Sequence, residues 1–322
     1  MLRRLKRFLG SLSAVMIGLA SAASAESIER ARQLFEGGRY AEARSELLQL
    51  RKNAAAAYYL GRIALVDNDG EEAVRQLEHA IGIEDGNALY HLWLGNALGD
   101  QAQHAGAFKM MFIARRMKQE WERAVQLDPA QIDARLGLVH FHTVAPGIAG
   151  GSMEAARLHA AEIEKLDPAR GAMARGLIAA AEKNEAAEIL AYQQAIAAAP
   201  DGADGYFALG HLYARGGKGT LAFATLDRYA QRRPGDAWVA YQTGRFAGIA
   251  GLELDRGERA LEQFIAAPAP DAHAAGLARA HYWLGQIAEK RGGKEAARGQ
   301  YLEALAIDPK NQTARKALEK LE

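Results

Sequence analysis

DGYFALGHLYARGGKGTLAFATLDRYAQRRP (residues 204–234) carries two apolar stripes at helical spacing on either side of a glycine pair. Tyr206, Leu209 and Tyr213 recur at steps of three and four, and so do Ala222, Leu226 and Tyr229. Such spacing marks two amphipathic helices. Gly216-Gly217 then reads as the turn between them, and Pro234 as the stop before the next helix. Gly210 lies inside the first stripe, where glycine costs helix propensity. It therefore calls for a packing reason, namely a crossing too close to admit a side chain.

The same stretch recurs along the chain. Leu-Gly steps fall at Gly61, Gly95, Gly210 and Gly285, and Gly176 and Gly244 continue the series. The intervals are 34, 81, 34, 34 and 41 residues, and the long one holds two units with Val139 in the glycine position. Five of the eight prolines, at 129, 168, 200, 234 and 309, close units. Small residues at fixed positions and a closing proline resemble the tetratricopeptide repeat consensus. The resemblance covers nearly all of the chain after residue 25. It implies an all-α fold, an α-solenoid of about eight helix-turn-helix repeats winding into a right-handed superhelix. The units are expected at about 27–53, 54–87, 88–131, 132–168, 169–202, 203–236, 237–277 and 278–311, and a polar capping helix at 312–322 should close the open end.

Composition agrees with helices. Hydrophobic residues make up 49% but aromatics only 7%, the difference being filled by 69 alanines. Alanine favours helix, whereas sheets draw on Val, Ile and Thr. At roughly 150 residues per domain, 322 residues suggest two domains, but a repeat array replaces that expectation with one continuous solenoid. Cysteine is absent, which excludes disulfides, thiolate metal sites, cysteine nucleophiles and a cysteine-linked lipid anchor.

Residues 1–25 read as a secretory signal peptide. Arg3, Arg4, Lys6 and Arg7 precede an uncharged run from Phe8 to Ala20, and Ala23-Ser24-Ala25 offers a cleavage site. The expected location is the periplasm, with no stable membrane insertion after cleavage. Removing the four leader cations leaves 36 Lys and Arg against 39 Asp and Glu, near −3. That charge argues against nucleic acid as a partner.

Three segments depart from the repeat. The third unit is about ten residues too long, with Phe108, Met110, Met111 and Phe112 beside Arg115, Arg116 and Lys118. An elongated second helix is the reading. The fourth unit carries a loop from Thr143 to Ser152 in place of a short turn, and the seventh is expected to have a longer turn over 251–257.

No catalytic constellation emerges. His140 and His142 project roughly 200° apart on a helix, so they do not share an ion. Gly217-Lys218-Gly219-Thr220 lacks the upstream glycine of a phosphate loop, and no nucleophile elbow occurs. Neither metal nor cofactor is expected, and the chain is read as a non-enzyme.

The family resemblance implies where binding occurs. Positions 2, 5, 9 and 12 of each first helix line the concave groove in such repeats. Tyr58, Leu92, Phe207, Tyr241 and Tyr282 stand at position 5. Arg62, Asn96, His140, His211, Arg245 and Gln286 stand at position 9, with Trp238 and Arg279 at position 2. Positions 5 and 9 share a helix face. The expected partner is a protein segment, an extended peptide or a helix, with aromatics as anchors and polar side chains meeting its backbone. Asn96 matches the position-9 residue of repeats that clamp a carboxylate, but Leu92 departs from their position-5 lysine. The alternative is a small-ligand or carbohydrate pocket between His140 and the loop Pro146 to Gly151. Exported arrays of this family serve in envelope assembly, secretion or outer-membrane biogenesis.

Overall fold

A computed structural model describes residues 25–103, 105–269 and 272–321. The leader expected at 1–25 lies outside the described residues, apart from its last position. Every regular element among the described residues is helical. The chain divides after Ser152 into two compact units.

The first unit holds α1 (25–36) and α2 (Tyr40–Leu47), then α3 (Ala54–Val66) with α4 (Gly70–Ile83), α5 (Ala88–Gln103) with α6 (Ala107–Leu127), and α7 (Ile132–Val144). The second unit begins with α8 (Met153–Leu166). It continues with the hairpins α9 (Pro168–Ala181) with α10 (Glu185–Ala198), α11 (Ala203–Arg215) with α12 (Gly219–Arg232), α13 (Ala237–Ala250) with α14 (Leu254–Ala266), and α15 (His273–Lys290) with α16 (Lys294–Ile307). It ends on α17 (Gln312–Leu321).

Local chemistry sets the helix ends. Asn53, Asp69, Asp167 and Asn184 cap α3, α4, α9 and α10, each side chain accepting from a backbone N–H three residues on. The Gly216-Gly217 turn is as expected, with Gly217 at φ +72, a left-handed conformation that glycine adopts at little cost.

The glycine series is explained by distance. A Cβ on Gly61 would lie 2.7 Å from Leu77 Cγ, and one on Gly95 2.5 Å from Trp121 Nε1. On Gly176 it would meet the Tyr192 ring at 2.2 Å, on Gly244 Leu261 Cγ at 2.1 Å, and on Gly285 the Tyr301 ring at 2.3 Å. In each case the first helix of a hairpin presses its bare backbone against a large side chain of the second. Gly210 instead receives the Phe246 ring of the next hairpin at 2.5 Å. The core of each unit thus consists of these interlocked pairs, with Leu77, Leu138, Leu226, Phe246, Leu261 and Tyr301 fully buried.

The irregular segments are resolved into definite structure. α6 runs 21 residues, an elongated second helix. Residues 145–152 form an ordered loop containing a 3-10 turn at Gly147–Ala149. The seventh unit differs from expectation: only 251–253 form its turn, and Leu254 to Gly257 are already helical. Gly257 is another crossing point, where a Cβ would come within 2.3 Å of Ala247 Cβ. Its glycine thus serves close packing rather than loop freedom. α17 is apolar on one side only, burying Ala314 and Ala317 and exposing Lys316, Glu319 and Lys320.

Gly285→Ala and Gly299→Ala separate crossing from propensity. Both are helical, but a Cβ at Gly299 meets nothing within 4 Å. Gly299→Ala should stabilise the chain by about 0.5–1 kcal/mol. Gly285→Ala should destabilise it by about 1–3 kcal/mol through overpacking, as read by urea unfolding of both variants.

Candidate functional site

The candidate surface is the face formed by the first helices of the hairpins. In the first unit these are α3 and α5. Tyr58 is buried, its ring 5.3 Å from that of Tyr90. Arg62 donates to the Tyr58 hydroxyl at 2.8 Å and lies 3.7 Å from the Trp93 ring centroid and 4.8 Å from that of Phe35. Its charge is therefore held by cation–π contacts inside the chain. The Asn96 carboxamide oxygen accepts from Trp121 Nε1 at 3.0 Å. His140 is exposed.

The second unit assembles more of the expected residues. Phe207 and His211 stand one turn apart on α11, and Trp238, Tyr241 and Arg245 follow the same periodicity on α13. Tyr282 and Gln286 do so on α15. Phe207 meets the Tyr229 ring edge-on at 5.3 Å. Trp238, Tyr241 and Phe264 form a triangle of rings with centroids 5.4 Å apart. The Tyr241 hydroxyl accepts from Trp283 Nε1 at 3.2 Å, linking α13 to α15. Tyr282 lies 5.8 Å from the Tyr301 ring, and burial pushes its hydroxyl pKa up. Gln286 donates to Glu289 at 3.1 Å and also to the Tyr301 hydroxyl.

This placement corrects part of the sequence reading. Tyr58 and Tyr241 are buried rather than presented as anchors, because position 5 also faces the next hairpin. Arg62, Asn96 and Gln286 already spend donors or acceptors within the chain. Arg245, His211, Phe207, Trp238 and Tyr282 remain half-buried at the surface. Trp93 and Trp283, one residue after position 5, were not singled out by the repeat register. Each is a tryptophan beside a position-5 residue, and that adjacency was the available signal.

Electrostatics distinguishes Arg245. Burial lowers its pKa, the neighbouring Arg279 lowers it further, and only Tyr241 opposes them. It donates to the Gln242 carboxamide oxygen at 3.4 Å. No carboxylate pairs with it among the described residues. Other arginines of this unit do have such partners: Arg256 bonds Asp227 and Glu253, and Arg291 bonds Glu258 and Asp255. His211 is pushed down to about 4, by burial first and then by Arg245 and Arg215. It is neutral at pH 7, so the local positive charge comes from the guanidinium groups.

The alternative pocket is not assembled as expected. A groove of about 380 Å³ does lie beside the 146–151 loop, but His140 is not among its lining residues. Among the described residues no group of three His, Asp or Glu side chains could hold a metal ion. No described helix is long and apolar enough to cross a membrane.

Residues 180–237 and 250–312 match the family model described as tetratricopeptide repeat. A tetratricopeptide repeat protein from Parabacteroides merdae superposes with a TM-score of 0.50 at 13% identity, covering 83% of this chain and 98% of its own. A thermophilic TPR protein of Thermus thermophilus gives a TM-score of 0.45 at 17% identity, covering 71% of this chain and 100% of its own. No curated protein matches the chain.

The His211 environment has a pH signature. The unfolded imidazole takes up a proton near its usual pKa of about 6.5, whereas the folded one resists until about pH 4. Protons therefore bind preferentially to the unfolded chain between these values, and stability falls as pH drops through that window. His211→Gln should flatten this part of the pH dependence. Urea unfolding of wild type and variant at pH 7 and pH 4.5 reads the difference, and equal losses in both would refute the assignment.

Proposed function

We propose that the chain, whose residues 180–237 and 250–312 match the tetratricopeptide repeat family model, is a non-catalytic scaffold for protein–protein interaction. Its fold is that of arrays which hold protein partners. In the finer reading, an extended peptide or a partner helix lies along α11, α13 and α15. Phe207, Trp238 and Tyr282 supply apolar contact. Arg245, with Arg279 beside it, supplies the polar anchor.

The observation that carries this reading is the unneutralised Arg245. A half-buried guanidinium loses hydration, and a carboxylate or backbone carbonyl from outside the chain would restore its hydrogen bonds. Arg62 shows the contrasting case, a groove arginine whose charge and donors are already engaged by Tyr58, Trp93 and Phe35.

The basic, apolar and small-residue succession of 1–25 supports export, so the proposed location is the periplasm and the proposed process envelope assembly or secretion. The wall carries aromatic and guanidinium side chains suited to recognition, which supports a binding role.

Crosslinking and affinity capture from an envelope fraction, with mass-spectrometric identification, test the proposal. Arg245→Glu should reduce capture of the principal species by about tenfold or more, the loss of a charge-assisted bond, with helicity unchanged. Arg298→Glu, exposed on α16, should leave capture intact. Equal capture by wild type and Arg245→Glu would remove the basis of the reading.

A further inference from the structure

The two segments of the first unit that exceed the repeat pattern meet in space. Met111, Phe112 and Arg115 near the start of α6 face residues 147–150 across the open groove of about 380 Å³. The rim is apolar and points outward: Met111 is 52% exposed, Phe112 56%, and Ile148 is completely exposed.

The loop presenting Ile148 is firmly built. The Ala149 and Gly151 N–H groups both donate to the Pro146 carbonyl, at 2.8 and 3.1 Å, and the Gly150 N–H donates to Gly147 at 3.0 Å. Gly150 has φ +93, and a Cβ on Gly151 would fall 1.8 Å from the Ala145 carbonyl oxygen. Both positions therefore require glycine. The sequence thus commits residues to a turn whose effect is to hold an isoleucine in solvent. A contiguous exposed apolar surface of this kind marks a contact site.

Charge identifies the occupant. From 101 to 119 the chain carries Lys109, Arg115, Arg116 and Lys118 and no carboxylate. Arg116 pairs with Glu78 and Lys118 with Glu122. Exposed Lys109 and Arg115 have no carboxylate partner among the described residues. Protruding apolar tips interleaved with unpaired cations suit a bilayer surface. The tips enter the boundary between headgroups and acyl chains, and the cations meet anionic phosphates. The aromatic wall proposed for a protein partner belongs to the second unit.

We propose that the start of α6 and the 146–151 loop form a peripheral docking surface for an anionic lipid bilayer, inserted no deeper than the side chains of Met111, Phe112 and Ile148.

The absence of cysteine makes a local test possible, because Ile148→Cys in the full chain gives a single site for an environment-sensitive fluorophore. Glu303→Cys, exposed on α16, is the control site. The probes are vesicles of phosphatidylcholine alone and of phosphatidylcholine with phosphatidylglycerol. Emission from the label at 148 should move to shorter wavelength with the anionic vesicles, and the label at 303 should not respond. Lys109→Glu combined with Arg115→Glu should raise the lipid concentration for half-maximal response about tenfold or more. No response at 148, an equal response at both labels, or an equal response to neutral vesicles would overturn the proposal. The equal response at both labels would show adsorption that is not localised to this rim.

Discussion

The whole structure depends on close approach of helix backbones at positions without a side chain. Gly244 shows the constraint most severely, since even a methyl group would stand 2.1 Å from Leu261 Cγ. Interiors at crystal-like density do not absorb such an overlap without shifting a helix. Repetition of the same contact at Gly61, Gly95, Gly176 and Gly285 gives successive hairpins similar internal geometry. This regularity is what places the first helices of neighbouring hairpins side by side and turns separate side chains into a wall.

The glycines made the fold legible in the sequence. A glycine inside an apolar helical stripe is unfavourable alone, so its recurrence at 34-residue intervals can only signal a repeated crossing. Helix ends were legible where glycine pairs and closing prolines mark them, as at Gly216-Gly217 and Pro234, whereas the caps at Asn53, Asp69 and Asn184 emerge only from the structure. The turn at 251–257 was misjudged because Gly257 reads equally as a loop residue or as a crossing point, and only the proximity of Ala247 decides between them. The candidate wall was legible only in part. The register names a helix face, but it does not show that Tyr58 and Tyr241 are shared with the neighbouring hairpin, nor that Trp121, from a different helix, occupies Asn96. Those facts depend on contacts between elements, which one-dimensional spacing does not contain.

Arg62 and Arg245 illustrate what structure adds. Both stand at the same repeat position, and the sequence treats them alike. Arg62 is stacked against Trp93 and Phe35 and bonded to Tyr58, so its charge serves the first unit internally. Arg245 lies among Trp238, Tyr241 and Arg279 with no carboxylate partner among the described residues. Equivalent positions thus acquire different functions from their neighbours. The same separation applies within the irregular segments: Ile113 packs into the core, whereas Met111, Phe112 and Ile148 build the exposed rim.

Amide hydrogen exchange, with and without the species captured from the envelope, tests the central claim most directly. Close crossings set the first helices of the hairpins side by side as a binding wall. Added protection on binding should then concentrate in α11, α13 and α15 and leave α12, α14 and α16 unchanged. Protection confined to the second helices, with the first helices unaffected, would contradict it.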